Sequence, residues 1–270
     1  VLFAITPPRQ STPAERLSEI ARATVERLGH LDLDGLVVYD IDDERSRNPV
    51  DRPFPFSPTI DPSEYRAKHL QAWRTPVIVY RAVGKYQRAG LETWVSDQDP
   101  DRTLTVMVGA ASSGSTAPVS LAEAQAIRAE LNPDLLLGGV AIPERHSRRE
   151  NEHLRLIAKQ EAGCRFFVTQ VVYDLNAAKN LVSDYRYECE ARGLPPVPIV
   201  FTFSMPCRSA QRSAAEKKVL SICTRWPGDN RLDKVEKPTR STKMAVRSAK
   251  LSATASPARS RAATSCGSTL

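Results

Sequence analysis

The feature that most constrains this chain is a series of short apolar runs, each strand-sized and separated by helix-like stretches. Seven occur before residue 205, at 2–5, 36–41, 77–80, 104–108, 135–142, 166–172 and 198–203. Continuous apolar runs of roughly four to eight residues suit strands buried on both faces, as in a parallel sheet. The intervening segments carry helical signals. Segment 13–28 places Leu17, Ile20, Ala21, Val25 and Leu28 at the spacing of an amphipathic helix. Asp61 and Pro62 fit the N-cap and first position of a helix over 62–73. Ser120 and Glu123 form a capping-box pattern before 120–131, and helices over 150–162 and 175–192 run into Gly163 and Gly193. Strands alternating with helices imply right-handed βα repeats. The expected fold is therefore α/β: an incomplete (β/α)8 TIM-type barrel of about seven βα strands. A doubly wound sheet is the alternative, but no GxGxxG or GxxxxGK[ST] follows any strand.

At 270 residues the chain has room for one barrel or two ordinary domains, and 41% hydrophobic residues can supply a sizeable core. Its net charge of +7 is unevenly distributed. Residues 208–270 hold 14 Lys/Arg against 4 Asp/Glu, whereas the rest holds 24 against 27. Val, Ile, Leu and Phe fill only 8 of those last 63 positions, too few to pack against a sheet. The expected organisation is a barrel over 1–206 and a basic, low-complexity, disordered tail over 207–270. A basic arm for nucleic acid is one reading of that tail. An out-of-frame stretch of a GC-rich gene is the preferred reading, so a nucleic-acid partner is not expected. Cysteines 164, 189, 207, 223 and 266 are odd in number and lack CxxC spacing, which suits thiols in a reducing cytoplasm. No apolar run reaches the roughly 18 residues of a membrane span, and the opening residues do not resemble a secretory signal. A cytoplasmic location without membrane attachment is expected, and an oligomer is compatible with the sequence.

The richest chemistry lies in 138–174. The run 135–142 breaks at Pro143-Glu144-Arg145-His146, and 166–172 carries Thr169-Gln170 within an otherwise apolar strand. A buried amide must find hydrogen-bond partners or a ligand, which singles out Gln170. Glu144 is either an acid at the strand end or part of the turn. Tyr39, Asp40 and Asp42 end the second strand, where carboxylates are expected to face the barrel mouth, and Asp40 or Asp42 could serve as an acid there. Tyr80 and Arg81 end the third, with Arg81 placed to clamp a phosphate or another anion. The loop 109–114 is a flexible βα connection. His30, His69 and His153 show no metal-ligand spacing, so no metal is expected.

The 138–174 block resembles the methylenetetrahydrofolate reductase family. Those proteins have a strand ending in tyrosine-Pro-Glu-x-His, a Lys-bearing helix, Ala-Gly, and a strand reading Thr-Gln-x-x-x-Asp. The counterparts are Pro143-Glu144-Arg145-His146, Lys159, Ala162-Gly163 and Thr169-Gln170-Val171-Val172-Tyr173-Asp174. The opening Phe3-Ala4-Ile5-Thr6-Pro7-Pro8-Arg9 is similar to the family's first strand. The resemblance implies a barrel with FAD across its strand ends, reducing 5,10-methylenetetrahydrofolate to 5-methyltetrahydrofolate with NAD(P)H. By that resemblance His146 and Lys159 stand near the flavin diphosphate, Glu152 contacts the cofactor, and Gln170 holds the folate substrate.

Three family positions differ. Ala4 stands where the family has its general-acid Glu, and Val108-Gly109-Ala110 replaces the Arg-Gly-Asp whose carboxylate tunes the flavin. Ile142 replaces the tyrosine of the motif. Losing a general acid typically costs about 10²–10⁴ in rate. The resemblance thus supports two functions: a reductase using NAD(P)H through FAD or directly, with its catalytic acid unassigned, or a catalytically degenerate homologue that binds folate or a pterin.

Overall fold

The computed structural model describes residues 1–41, 58–109 and 117–204. Seven parallel strands stand side by side in chain order: β1 Leu2–Ile5, β2 Gly35–Val38, β3 Val77–Ala82, β4 Thr103–Val108, β5 Leu136–Ala141, β6 Phe166–Val171 and β7 Ile199–Thr202. Among the described residues, helices connect them: α1 Ala14–Gly29, α2 Pro62–His69, α3 Arg88–Ser96, α4 Leu121–Leu131, α5 Pro143–Arg149, α6 Glu152–Glu161 and α7 Leu175–Ala191. Unbroken sequential order with parallel pairing at every step is barrel topology. A doubly wound sheet would reverse its strand order at a switch point, and none occurs here. The expected tail over 207–270, like Asp42 and residues 110–114, lies outside the described residues.

The buried residues divide into two layers. Val37, Ile78, Tyr80, Val106, Phe166 and Val168 cluster together, joined by the partly buried Leu2, Leu104, Leu136, Val140 and Val200. Every one of these lies on a strand or a strand end, so this layer is the barrel interior. The alternate strand residues, among them Leu36, Val38, Val79, Met107, Leu137 and Phe167, pack with Leu91, Ile127, Leu156, Leu181 and Tyr185 of the surrounding helices. Two-sided burial accounts for the near-continuous apolar runs. Gly138 sits in the inner layer because Phe166 occupies its side-chain space. A Cβ there would lie 2.4 Å from the Phe166 ring and 2.9 Å from Val106.

Local signals set the helix ends. Asp61 Oδ1 accepts from the amides of Ser63 and Glu64 at 2.8 and 3.0 Å, and Ser120 and Glu123 form the full capping box. Gly163 adopts φ +101° beyond α6, while Cys164 N–H returns to the Lys159 carbonyl and Gly163 N–H to Gln160. Gly193 repeats that Schellman closure after α7.

Two elements depart from the sequence expectation. Helix α3 was not expected; its buried Leu91, Trp94 and Val95 follow an opening turn that has no side-chain cap and contains Gly90. The helix expected over 150–162 is α6, but it is preceded by a second, unexpected helix, α5, over the segment read as a strand-end turn. Pro143 starts α5 at its first position, and Glu150 breaks the two apart at φ +51°.

Candidate functional site

The inward-facing row reaches the carboxyl ends of the strands at Ala4, Tyr39, Tyr80, Val108, Val140, Gln170 and Thr202. Tyr39 meets Tyr80 edge-on, with ring centroids 4.8 Å apart. From the other side of the mouth Thr202 hydrogen-bonds the Tyr39 phenol, so β2 and β7 approach across the interior. Burial raises the Tyr39 pKa, with the Thr202 bond working against it, and burial next to Tyr39 raises that of Tyr80. Both phenols are therefore protonated donors at neutral pH.

Gln170 follows Phe166 and Val168 by alternation on the inward row, but it is exposed rather than buried. The strand pairing is irregular at this point. Between Val168 and Val171 the register with β7 shifts, and the Thr169 hydroxyl accepts the Thr202 amide at 2.9 Å. This irregularity satisfies Thr169 internally and leaves the neighbouring amide open at the mouth. Beside it, half-buried Glu144 accepts from the Tyr173 amide at 3.2 Å, linking the ends of β5 and β6.

The other candidates are turned elsewhere. Asp40, expected to face the mouth, is a correction: its carboxylate is fully buried. It accepts from Ala82 N–H at 2.8 Å, Lys85 Nζ at 2.6 Å and Tyr86 Oη at 2.8 Å. Arg81, read as an anion clamp, is also buried. Its Nη1 bonds Asp61 Oδ2 at 2.5 Å, and its guanidinium lies 4.1 Å from the Tyr86 ring centre and 4.3 Å from that of Trp94.

Glu152, Lys159 and His146 lie on the helix side of β5. Glu152 is wholly buried, accepting from Ile142 N–H at 3.2 Å and Arg145 Nη1 at 3.1 Å. The Lys159 stem passes 3.2 Å from the Cβ position of Gly139, and its Nζ donates to the Val140 carbonyl. Burial lowers the Lys159 pKa, while Glu152, 3.9 Å away, acts to raise it. His146 is buried on α5, with Nε2 2.9 Å from Asp184 Oδ2 on α7 and its ring edge-on to His153 of α6. Sequence spacing concealed this triad, because His146 and Asp184 are 38 residues apart. The Tyr39–Thr202 contact was equally unread.

Fold and site together define a parallel βα-barrel chain whose mouth, among the described residues, is partly aromatic and presents the exposed amide of Gln170 with Glu144 beside it. No family model matches the chain, and no curated protein does. Among solved structures it is similar to an uncharacterized Clostridium thermocellum protein that binds two copies of 5-methyl-5,6,7,8-tetrahydrofolic acid. The two are 41% identical with a TM-score of 0.63, over 74% of this chain and 64% of that one. The present chain thus spans slightly less than two thirds of that protein. A 2,3-dimethylmalate lyase of the PEP mutase/isocitrate lyase superfamily aligns over 100% of this chain and 94% of its own, at 14% identity and a TM-score of 0.44. A GH10 endoxylanase from a sugarcane soil metagenome aligns over 78% and 70%, at 9% and 0.44. Among the described residues no helix is long and apolar enough to cross a membrane.

Proposed function

We propose that the strand-end mouth binds a reduced folate, with Gln170 as a substrate contact. The observation that carries this reading is 41% identity to a protein that binds 5-methyl-5,6,7,8-tetrahydrofolic acid. The mouth chemistry agrees with it. A pterin has flat faces for Tyr39 and Tyr80 and a hydrogen-bonding edge that a carboxamide matches by paired donor and acceptor.

The finer proposal is a methylenetetrahydrofolate reductase-like activity, in which a hydride from NAD(P)H reaches the one-carbon unit while a proton opens its bridge. Ala4 stands at one of the family's two carboxylate positions and Ala110, outside the described residues, at the other, and Asp40 is committed to Lys85 and Tyr86. Among the described residues, Glu144 is the acid beside the mouth that would donate the proton. A binding role without turnover is therefore the reading the geometry supports best, and reduction is its extension. A flavin is a further proposal of the resemblance. In this arrangement His146, Glu152 and Lys159 do not fit a flavin diphosphate, because they lie on the helix side of β5 with the Glu152 carboxylate, Lys159 Nζ and His146 Nε2 each facing a protein partner, so no step here passes through a flavin.

Calorimetric titration with 5-methyltetrahydrofolate tests the binding. The full chain should bind, and Gln170→Ala should bind about tenfold more weakly for one lost, well-placed hydrogen bond. Failure of the wild type to bind, or equal binding by the variant, overturns the reading. Oxidation of NAD(P)H with methylenetetrahydrofolate, with and without added FAD, tests the finer proposal.

A further inference from the structure

On the outer helical layer, buried His146 meets the more exposed His153 and Asp184. His146 Nε2 faces Asp184 Oδ2 at 2.9 Å, and the His146 and His153 rings stand perpendicular with centroids 5.3 Å apart. One ligand atom from each of His146, His153 and Asp184 lies within 4.8 Å of the other two. His146 Nδ1 and His153 Nδ1 are buried with no hydrogen-bond partner, as is Asn151 Oδ1 between them in sequence. Buried polar atoms are rarely left unpaired, so the free ring nitrogens of His146 and His153 are available to a ligand.

The backbone is arranged to make this cluster. Without the left-handed Glu150, at φ +51°, α5 and α6 would continue as one helix. Residues 146 and 153 are then placed on separate helices that both face α7. A non-glycine residue in that region is uncommon and carries strain that the surrounding structure must hold. The burial gradient also suits a ligand site. The His146 side chain is 4% exposed and that of Asp184 48%, so the set opens toward solvent on its carboxylate side.

We infer that His146, His153 and Asp184 form a site for a divalent transition-metal ion of the zinc type. Two neutral imidazoles and one carboxylate are a borderline donor set that such ions prefer, whereas Mg²⁺ prefers oxygen ligands. With donor–metal distances of about 2.0–2.2 Å, small side-chain rotations bring the three atoms onto one ion, and the exposed side leaves a position for water. The ion would join α5, α6 and α7. This gives His146 an occupant other than the flavin diphosphate, and it stands apart from the folate reading, which concerns the opposite face of β5 and β6.

The test uses the full chain stripped with chelator and then titrated with Zn²⁺, with Co²⁺ as a spectroscopic probe and Mg²⁺ as control. His153→Gln and Asp184→Asn are the variants, both at partly exposed positions, with the fold verified by circular dichroism. The wild type should take up one Zn²⁺ with micromolar or tighter affinity and show ligand-field absorption with Co²⁺. Each variant should bind at least about tenfold more weakly. Should either variant keep the wild-type affinity, any uptake belongs elsewhere, such as the cysteines or His30 and His69, and the assignment fails. Absence of uptake by the wild type overturns it equally.

Discussion

The Thr169 hydroxyl accepts the Thr202 amide at 2.9 Å, taking a place in the β6–β7 ladder that a backbone carbonyl would otherwise hold. The pairing is irregular at that point, and Gln170 is exposed beside it. Thr169→Val keeps the shape but removes the acceptor. The Thr202 N–H is partly buried, so the loss should be about 1 kcal/mol, and Thr169→Ser should recover most of it. Urea unfolding measures the stability, and hydrogen exchange should show the Thr202 amide opening faster in the valine variant alone.

Gly138 and Phe166 share one volume inside the barrel. A methyl group at 138 would sit 2.4 Å from the Phe166 ring. Gly138→Ala should therefore destabilise by about 1–3 kcal/mol through overpacking. Gly138→Ala combined with Phe166→Leu should be less harmful than the sum of the two single changes, because the smaller side chain vacates the contested space. A double-mutant cycle in urea checks the coupling. Additive losses would show that the two positions do not compete.

Cys164 follows the Gly163 closure and is buried behind β5 and β6. Burial pushes its thiol up to about 11, although Lys159 and Arg128 act in the opposite direction. Burial likewise raises the pKa of buried Cys189. Neither should react with an aromatic disulfide reagent in the native state at neutral pH, since the thiolate is the reactive form. Peptide mapping after labelling, with and without denaturant, should find both modified only on unfolding.

What could be read in the sequence was what depends on near neighbours. Asp61 beside Pro62, Ser120 three residues before Glu123, and glycines after amphipathic runs each settle a helix end through contacts within one turn. The apolar runs identified the seven strands because two-sided burial writes itself into consecutive residues. Asp40, Arg81 and His146 were misplaced or left open for the opposite reason. Their partners lie 45, 20 and 38 residues away at Lys85, Asp61 and Asp184. A strand-end carboxylate in sequence is therefore equally compatible with a mouth acid and with the clasp that Asp40 makes. Gln170 was legible as an anomaly, but it is exposed rather than buried and sits at the β6–β7 irregularity, which no residue type announces.

Arg81 and Asp61 supply a pH dependence with a definite sign. Burial alone would raise the Asp61 pKa, but the Arg81 charge and the Glu64 amide outweigh it and hold the carboxyl below the usual aspartate range. A depressed folded-state value means that the contribution is complete above the ordinary aspartate pKa. It is lost as pH falls through that value toward the folded one. Acidification should therefore weaken the fold on this limb, and Asp61→Asn should flatten the limb. At neutral pH the same substitution leaves Arg81, only 4% exposed, without its anion. Removing one partner of a buried pair costs about 3–5 kcal/mol. The lower end is expected here, since the guanidinium keeps its contacts with Tyr86 and Trp94 and asparagine can still cap α2. Unfolding free energies of both proteins across the acid range check the sign. An unchanged slope in Asp61→Asn would assign the acid limb to other carboxylates.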